Sequence, residues 1–163
     1  MTLATLPQNS VTSFGRDAST QLDLVRGLTA TYLTRIAADW TDMMDFWDEN
    51  GDGEADYMIT CVEQRDPSRN IDGAGTQPPS VQRINLSNGA VATILRGMNA
   101  CDGIRTTAWG TVLVTEETAD GQAYEIIDPV HTDEVALIDR AAGTLTGADA
   151  GNIAKRPALP TMS

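Results

Sequence analysis

Residues 80–95 read Ser80-Val-Gln-Arg-Ile-Asn-Leu86, then Ser87-Asn88-Gly89, then Ala90-Val-Ala-Thr-Ile-Leu95. Two runs of β-forming residues flank an Asn-Gly pair, which is the strongest short-range signal for a β-hairpin. The favoured two-residue turn needs φ > 0 at both central positions, and Asn and Gly adopt that conformation most easily. The stretch therefore predicts an antiparallel hairpin that turns at Asn88-Gly89.

The same plan of strand, turn and strand recurs along the chain. Tyr57-Met-Ile-Thr-Cys-Val62 is a short β-prone run, and Gly110–Thr115 and Gln122–Ile127 flank a loop that contains Asp120-Gly121. No long helical pattern intervenes after Tyr57. The sequence therefore predicts an all-β, antiparallel fold, and composition leaves sandwich, barrel and propeller open.

The N-terminal part of the chain is less regular. Residues 21–45 combine helical spacing with many β-formers, and Gly27 interrupts the helical face, so we expect a strand at Ala30–Ile36. We divide the chain into a leader or loop segment (1–27), a β region (28–142) and a loop or truncated continuation (143–163).

Charge and hydropathy narrow the classes of partner. The 163 residues carry 23 acidic and 11 basic side chains, a formal charge of −12. Such an excess of negative charge disfavours nucleic acid and anionic membrane surfaces as partners. The chain contains no apolar run long enough to span a membrane, and Met1–Ser10 lacks the pattern of a secretory signal.

The stretch Asp48-Glu-Asn50-Gly-Asp52-Gly53-Glu-Ala-Asp56 is a candidate calcium loop. Side-chain oxygens at relative positions 1, 3, 5 and 9 and a glycine at position 6 suit a hard cation. Ile59 stands where an EF-hand requires a bidentate Glu, so the loop is closer to the calcium loops of integrin-type propeller blades. The predicted ligands are side chains of Asp48, Asn50, Asp52 and Asp56 and the backbone carbonyl of Glu54; an acidic turn that binds nothing is the alternative.

A second constellation runs from Cys101-Asp-Gly103 through Thr107-Ala-Trp109-Gly110-Thr111 and a short apolar strand to Glu116-Glu117. The residues themselves leave Cys101 open as a buried small hydrophobe, or as a partner of Cys61. Adjacent glutamates on a strand point to opposite faces, so one of the two reaches an inner site unless a bulge intervenes.

These residues, in this order and spacing, resemble the PhoX-type alkaline phosphatases, whose motif has proline at the position of Ala108. The resemblance covers roughly residues 28–163 and corresponds to the N-terminal portion of that family. It implies an antiparallel β-propeller, of which this chain would form about two blades, around a calcium and iron cluster. By this resemblance Cys101 would bind iron, Glu116 or Glu117 would bind metal, and Arg105 is a candidate partner of the phosphate.

Three functions follow as expectations. The first is metal-dependent hydrolysis of a phosphomonoester in the periplasm or outside the cell, as the resemblance implies, with only part of the site in this chain. The second is a non-catalytic calcium-binding or adhesion module, and the third is a structural module that self-associates to complete a propeller.

Overall fold

Ten β-strands and a short 3₁₀ turn (Ala150–Asn152) form the secondary structure of the described residues, which are 22–65 and 76–157 of this computed structural model. The chain divides into two compact units, Met1–Arg35 and Ile36–Ser163, and all ten strands belong to the second. The all-β prediction is therefore confirmed.

The strands form two sheets. The first contains six strands in the order β1 (Thr41–Trp47), β2 (Tyr57–Val62), β3 (Pro79–Asn85), β4 (Val91–Arg96), β8 (Val135–Asp139) and β9 (Thr144–Thr146). The second contains four strands in the order β10 (Ile153–Arg156), β7 (Ala123–Ile126), β6 (Val112–Glu116) and β5 (Cys101–Thr106). Neighbouring strands are antiparallel except for β4 and β8, which are parallel.

One apolar core receives side chains from both sheets. Ile59 and Ile94 of the six-stranded sheet and Val114 and Tyr124 of the four-stranded sheet are fully buried in the same cluster. Alternation along the strands places these residues on one face of each sheet, and burial of that apolar area is the main favourable term for folding.

The predicted hairpin is confirmed, but its turn differs from the predicted type. β3 and β4 pair antiparallel and are joined by the five-residue loop 86–90. Gly89 has φ +73° and donates its N–H to the Asn85 carbonyl at 2.8 Å, whereas Asn88 is not among the residues with positive φ. The Asn85 side chain accepts the N–H of Ser87, so it stabilises a longer loop in which only Gly89 needs the left-handed conformation.

The strand expected at Ala30–Ile36 is not formed. The first strand in the described residues is β1, and the border between the two compact units falls between Arg35 and Ile36. β-Propensity is a weak preference that depends on context, so a run of β-forming residues does not by itself make a strand.

The other predicted strands are confirmed, and the structure contains several further strands that were not predicted from the sequence. β2 has the predicted bounds, and β6 and β7 pair antiparallel as expected. The segment 143–163 was expected to be loop, but it contains β9 and β10 in its described part. Both strands are at most four residues long, too short to show a period, and they form because β8 and β7 offer them an edge.

Candidate functional site

The acidic loop joins β1 to β2 and is held together by its own polar groups. Both carboxylate oxygens of Asp48 accept loop amides, from Gly51 at 2.6 Å and from Gly53 at 2.7 Å. Asn50 accepts the Asp52 amide at 2.9 Å, and Asp52 accepts the Glu54 amide at 2.8 Å. These bonds fix the loop in a series of Asx turns.

Two further contacts close the base of this loop. The Asp56 carboxylate accepts the Glu49 amide at 2.9 Å, and the Asp56 amide donates to the Trp47 carbonyl at 2.9 Å. The bond from the Gly53 amide is the largest cause that lowers the pKa of Asp48, so this side chain is held as a carboxylate. Within residues 22–65 and 76–157, no three His, Cys, Asp or Glu side chains are grouped closely enough to hold a metal ion.

Cys101 was expected to bind iron as a thiolate, and in the structure it is part of a disulfide bond. Its sulfur is bonded to that of Cys61, and both residues are fully buried. The bond joins β2 of one sheet to β5 of the other, across 40 residues of sequence. A disulfide sulfur carries no thiolate charge, so in this state Cys101 cannot act as the predicted ligand.

Glu116 and Glu117 have different environments, as expected for adjacent residues on a strand. The Glu116 side chain is fully buried, whereas the Glu117 side chain is 56% exposed and pairs with Arg65 at 2.9 Å. Glu116 binds Arg140 through both oxygens, at 2.7 Å to Nε and 2.6 Å to Nη2. These bonds raise the pKa of Arg140, which remains charged.

Arg105, the candidate phosphate partner, lies on β5 with its side chain 81% exposed. Its closest carboxylate is Asp45, at 3.8 Å. The structure brings two of the predicted phosphatase residues together, because Cys101 of β5 lies directly opposite Glu116 of β6. Arg105 lies further along β5 and faces solvent.

A different cluster lies on the outer face of the four-stranded sheet, and sequence reasoning missed it. Glu125 of β7 accepts hydrogen bonds from the indole Nε1 of Trp109 at 2.8 Å and from the Thr111 hydroxyl at 2.6 Å. Its other oxygen accepts from Arg156 Nε at 2.5 Å. The Thr111 hydroxyl and then the Trp109 indole are the main causes that lower the pKa of Glu125 to about 2.

This cluster borders a surface cavity of about 470 Å³. We call this cavity the Trp109 groove and define it by Trp109, Leu113, Ala123, Glu125, Arg156 and Pro157. The partners of Glu125 lie 14 to 31 residues away in sequence, so no local motif predicts the cluster. Trp109-Gly110 is the one part of the cluster that the sequence analysis had singled out.

No family model, curated protein or solved structure matches this chain significantly. None of the helical segments in the described part of the chain is long and apolar enough to cross a membrane.

Proposed function

We propose that this chain is a non-catalytic, calcium-binding β module. The observation that carries the proposal is the loop 48–56, in which Asp48, Asn50, Asp52 and Asp56 bind the loop's own amides and fix its path between β1 and β2. Calcium, with two positive charges, would offset most of the negative charge of the three carboxylates in this turn and so stabilise the β1–β2 connection.

The chemistry of this donor set fits calcium. All four side chains offer hard oxygen atoms, and the Glu54 carbonyl would supply a fifth. Each carboxylate or amide oxygen that accepts one N–H keeps a second acceptor site, so the bonds within the loop leave lone pairs for a cation. The carboxylates would have to come closer together when the ion binds, because they do not form a metal-sized group in this arrangement.

The disulfide supports a location in an oxidising compartment. Disulfides persist in secreted and periplasmic proteins and are rare in reducing cytosol. The Cys61–Cys101 bond is buried in the core and joins the two sheets, which is the placement of a structural bridge.

Phosphomonoester hydrolysis is a second proposal, which the order of Cys101-Asp-Gly103, Trp109-Gly110-Thr111 and Glu116-Glu117 supports. It includes the propeller architecture and a calcium and iron cluster. For these residues to bind metal, the disulfide would have to be reduced and Glu116 would have to exchange Arg140 for the ion. We expect no hydrolysis of an aryl phosphate by this chain with calcium and iron added; robust hydrolysis would favour the phosphatase.

Calcium titration of the purified chain by calorimetry, together with thermal unfolding in calcium and in chelator, tests the first proposal. We expect calcium to raise Tm, and we expect Asp48→Ala and Asp52→Ala to abolish most of that increase, because each removes an anionic ligand.

Glu54→Ala is the matched control. It removes the same charge from the same loop but keeps the backbone carbonyl that would bind the ion, so it should retain the calcium-dependent increase in Tm. Equal melting of the wild type in calcium and in chelator contradicts the proposal. An equal loss in all three variants indicates that the loop attracts cations only through its net charge.

A further inference from the structure

The Trp109 groove lies on the solvent side of the four-stranded sheet. β-Sheet register places Leu113 beside Glu125, and Ala123 beside Arg156. Trp109 lies in the turn between β5 and β6, and 69% of its surface is exposed. A cavity of this size is within the range of small-ligand sites, roughly 300–1,000 Å³.

The indole of Trp109 is both exposed and fixed. Its Nε1 donates to Glu125, whose side chain is only 8% exposed. The turn that carries it is closed by the Thr107 and Thr111 hydroxyls at 2.9 Å and by the Thr107 amide, which donates to the Thr111 carbonyl at 2.8 Å. An aromatic ring that is already held in place loses little conformational entropy when a ligand stacks on it.

The polar groups of the groove balance one another in charge. Glu125 is ionised and pairs with Arg156, which is 46% exposed. The whole chain carries a charge of −12, so an anionic ligand would be repelled. Glu116 also lines the cavity, but its carboxylate is paired with Arg140, as that of Glu125 is with Arg156, so neither leaves an unpaired charge to attract a cation. These charges favour an uncharged ligand.

The remaining surface is mostly apolar. Leu113, Ala123 and Pro157 contribute apolar area, and Thr115 and Gln122, whose side chains carry a hydroxyl and an amide, also line the cavity. A pyranose ring matches this surface because it has C–H groups on its face, which pack on an indole, and hydroxyl groups around its edge. It carries no charge.

We propose that the Trp109 groove binds a neutral polysaccharide, with one sugar ring stacked on Trp109 and its hydroxyl groups bound by Arg156, Thr115 and Gln122. This inference rests on the proposed function as a binding module and names its ligand class.

Affinity electrophoresis of the full chain tests this inference, with gels that contain a glucan, a mannan, a xylan or a galactan. Calorimetry with an oligosaccharide of the best-retarding polymer then gives Kd. We expect at least one neutral polymer to retard the chain, and Trp109→Ala to weaken binding by about tenfold or more. Trp109→Phe keeps an aromatic face but loses the hydrogen bond to Glu125. Its affinity should lie between those of the wild type and Trp109→Ala.

Trp40→Ala is the matched control, because Trp40 is also 69% exposed. Trp40 lines a separate cavity, together with Val62, Gln82 and Arg96. We expect this variant to bind the polysaccharide as the wild type does. The wild type should not be retarded by the anionic polymer alginate.

Several outcomes overturn the inference: no retardation by any of the four neutral polymers, unchanged binding by Trp109→Ala, or loss of binding in Trp40→Ala alone. Binding of an apolar dye at Trp109 that no oligosaccharide displaces would show that the groove takes an apolar ligand instead. Calcium titration of the same samples distinguishes failure of one proposal from failure of the other. The loop 48–56 can fail to bind calcium while the Trp109 groove binds sugar, and the groove can fail to bind sugar while the loop binds calcium.

Discussion

Replacement of Glu116 by Gln should destabilise the protein far more than the same replacement at Glu117. The Glu116 carboxylate receives four hydrogen bonds: two from the Arg140 guanidinium and one each from the amides of Asn99 at 2.8 Å and Gln122 at 3.0 Å. Each oxygen accepts one backbone amide and one guanidinium N–H. A glutamine in either orientation must therefore turn an NH₂ group towards two donors.

The expected magnitude follows from the burial of the pair. Breaking a buried ion pair by removing one charge costs about 3–5 kcal/mol, because the other charge is left without compensation. The Arg140 side chain keeps 21% exposure and a second carboxylate, Asp120, at 3.5 Å. Both features reduce the penalty, so we expect about 3 kcal/mol, which lowers Tm by roughly 6–12 °C in a chain of this size.

Urea unfolding followed by tryptophan fluorescence measures this difference, and Glu117→Gln is the control. Glu117 and Arg65 are 56% and 64% exposed, so their pair should contribute less than about 1 kcal/mol. Equal stabilities of the two variants would refute the structural role of the Glu116–Arg140 pair. A loss in Glu116→Gln that appears only when calcium or iron is present would instead support Glu116 as a metal ligand.

Three further predictions concern the disulfide, the hairpin and the Trp109 groove. The native protein should show no reactive thiol, and titratable thiol in the folded wild type would contradict this. The double variant Cys61→Ser/Cys101→Ser should lose about 4 kcal/mol of unfolding free energy, as expected for a loop closed over 40 residues. Gly89→Val should lower the free energy of unfolding by about 1 kcal/mol or more, because Gly89 has φ +73°. Gly151→Ala should lower it less, because an added Cβ at Gly151 meets open space. Equal Tm values for the two variants would contradict the role of φ at Gly89. Because the folded pKa of Glu125 is about 2, below its usual 4.5, this carboxylate stabilises the protein fully above about pH 4.5 and loses that effect as the pH falls towards 2. The difference in stability between wild type and Glu125→Gln should therefore shrink across that acid window, and a constant difference would show that the carboxylate's charge is not involved.

The features that the sequence predicted depend on residues close together in the chain. The β3–β4 hairpin follows from two β-prone runs around Asn88-Gly89, and the β1–β2 loop follows from Asp, Asn and Gly residues that bind the backbone two to seven residues away. The opposite environments of Glu116 and Glu117 follow from the alternation of a strand. Local conformational preference is sufficient for each of these features, although it did not distinguish the two-residue turn from the five-residue loop.

The tertiary structure alone decided the partners of the functional side chains. Cys101 could have been a thiolate, but the packing of β5 against β2 brings it to Cys61. Glu116 lies in the four-stranded sheet and Arg140 follows β8 of the six-stranded sheet, 24 residues later, so their contact depends on how the two sheets pack together. Glu125 meets Arg156 from 31 residues away because strand pairing places β10 beside β7. The same pairing gives β9 and β10 their hydrogen bonds despite their weak patterns. The physical reason is that the chemical role of a carboxylate or a sulfur atom depends on the group that it contacts. Residue type and spacing along the chain do not specify that contact.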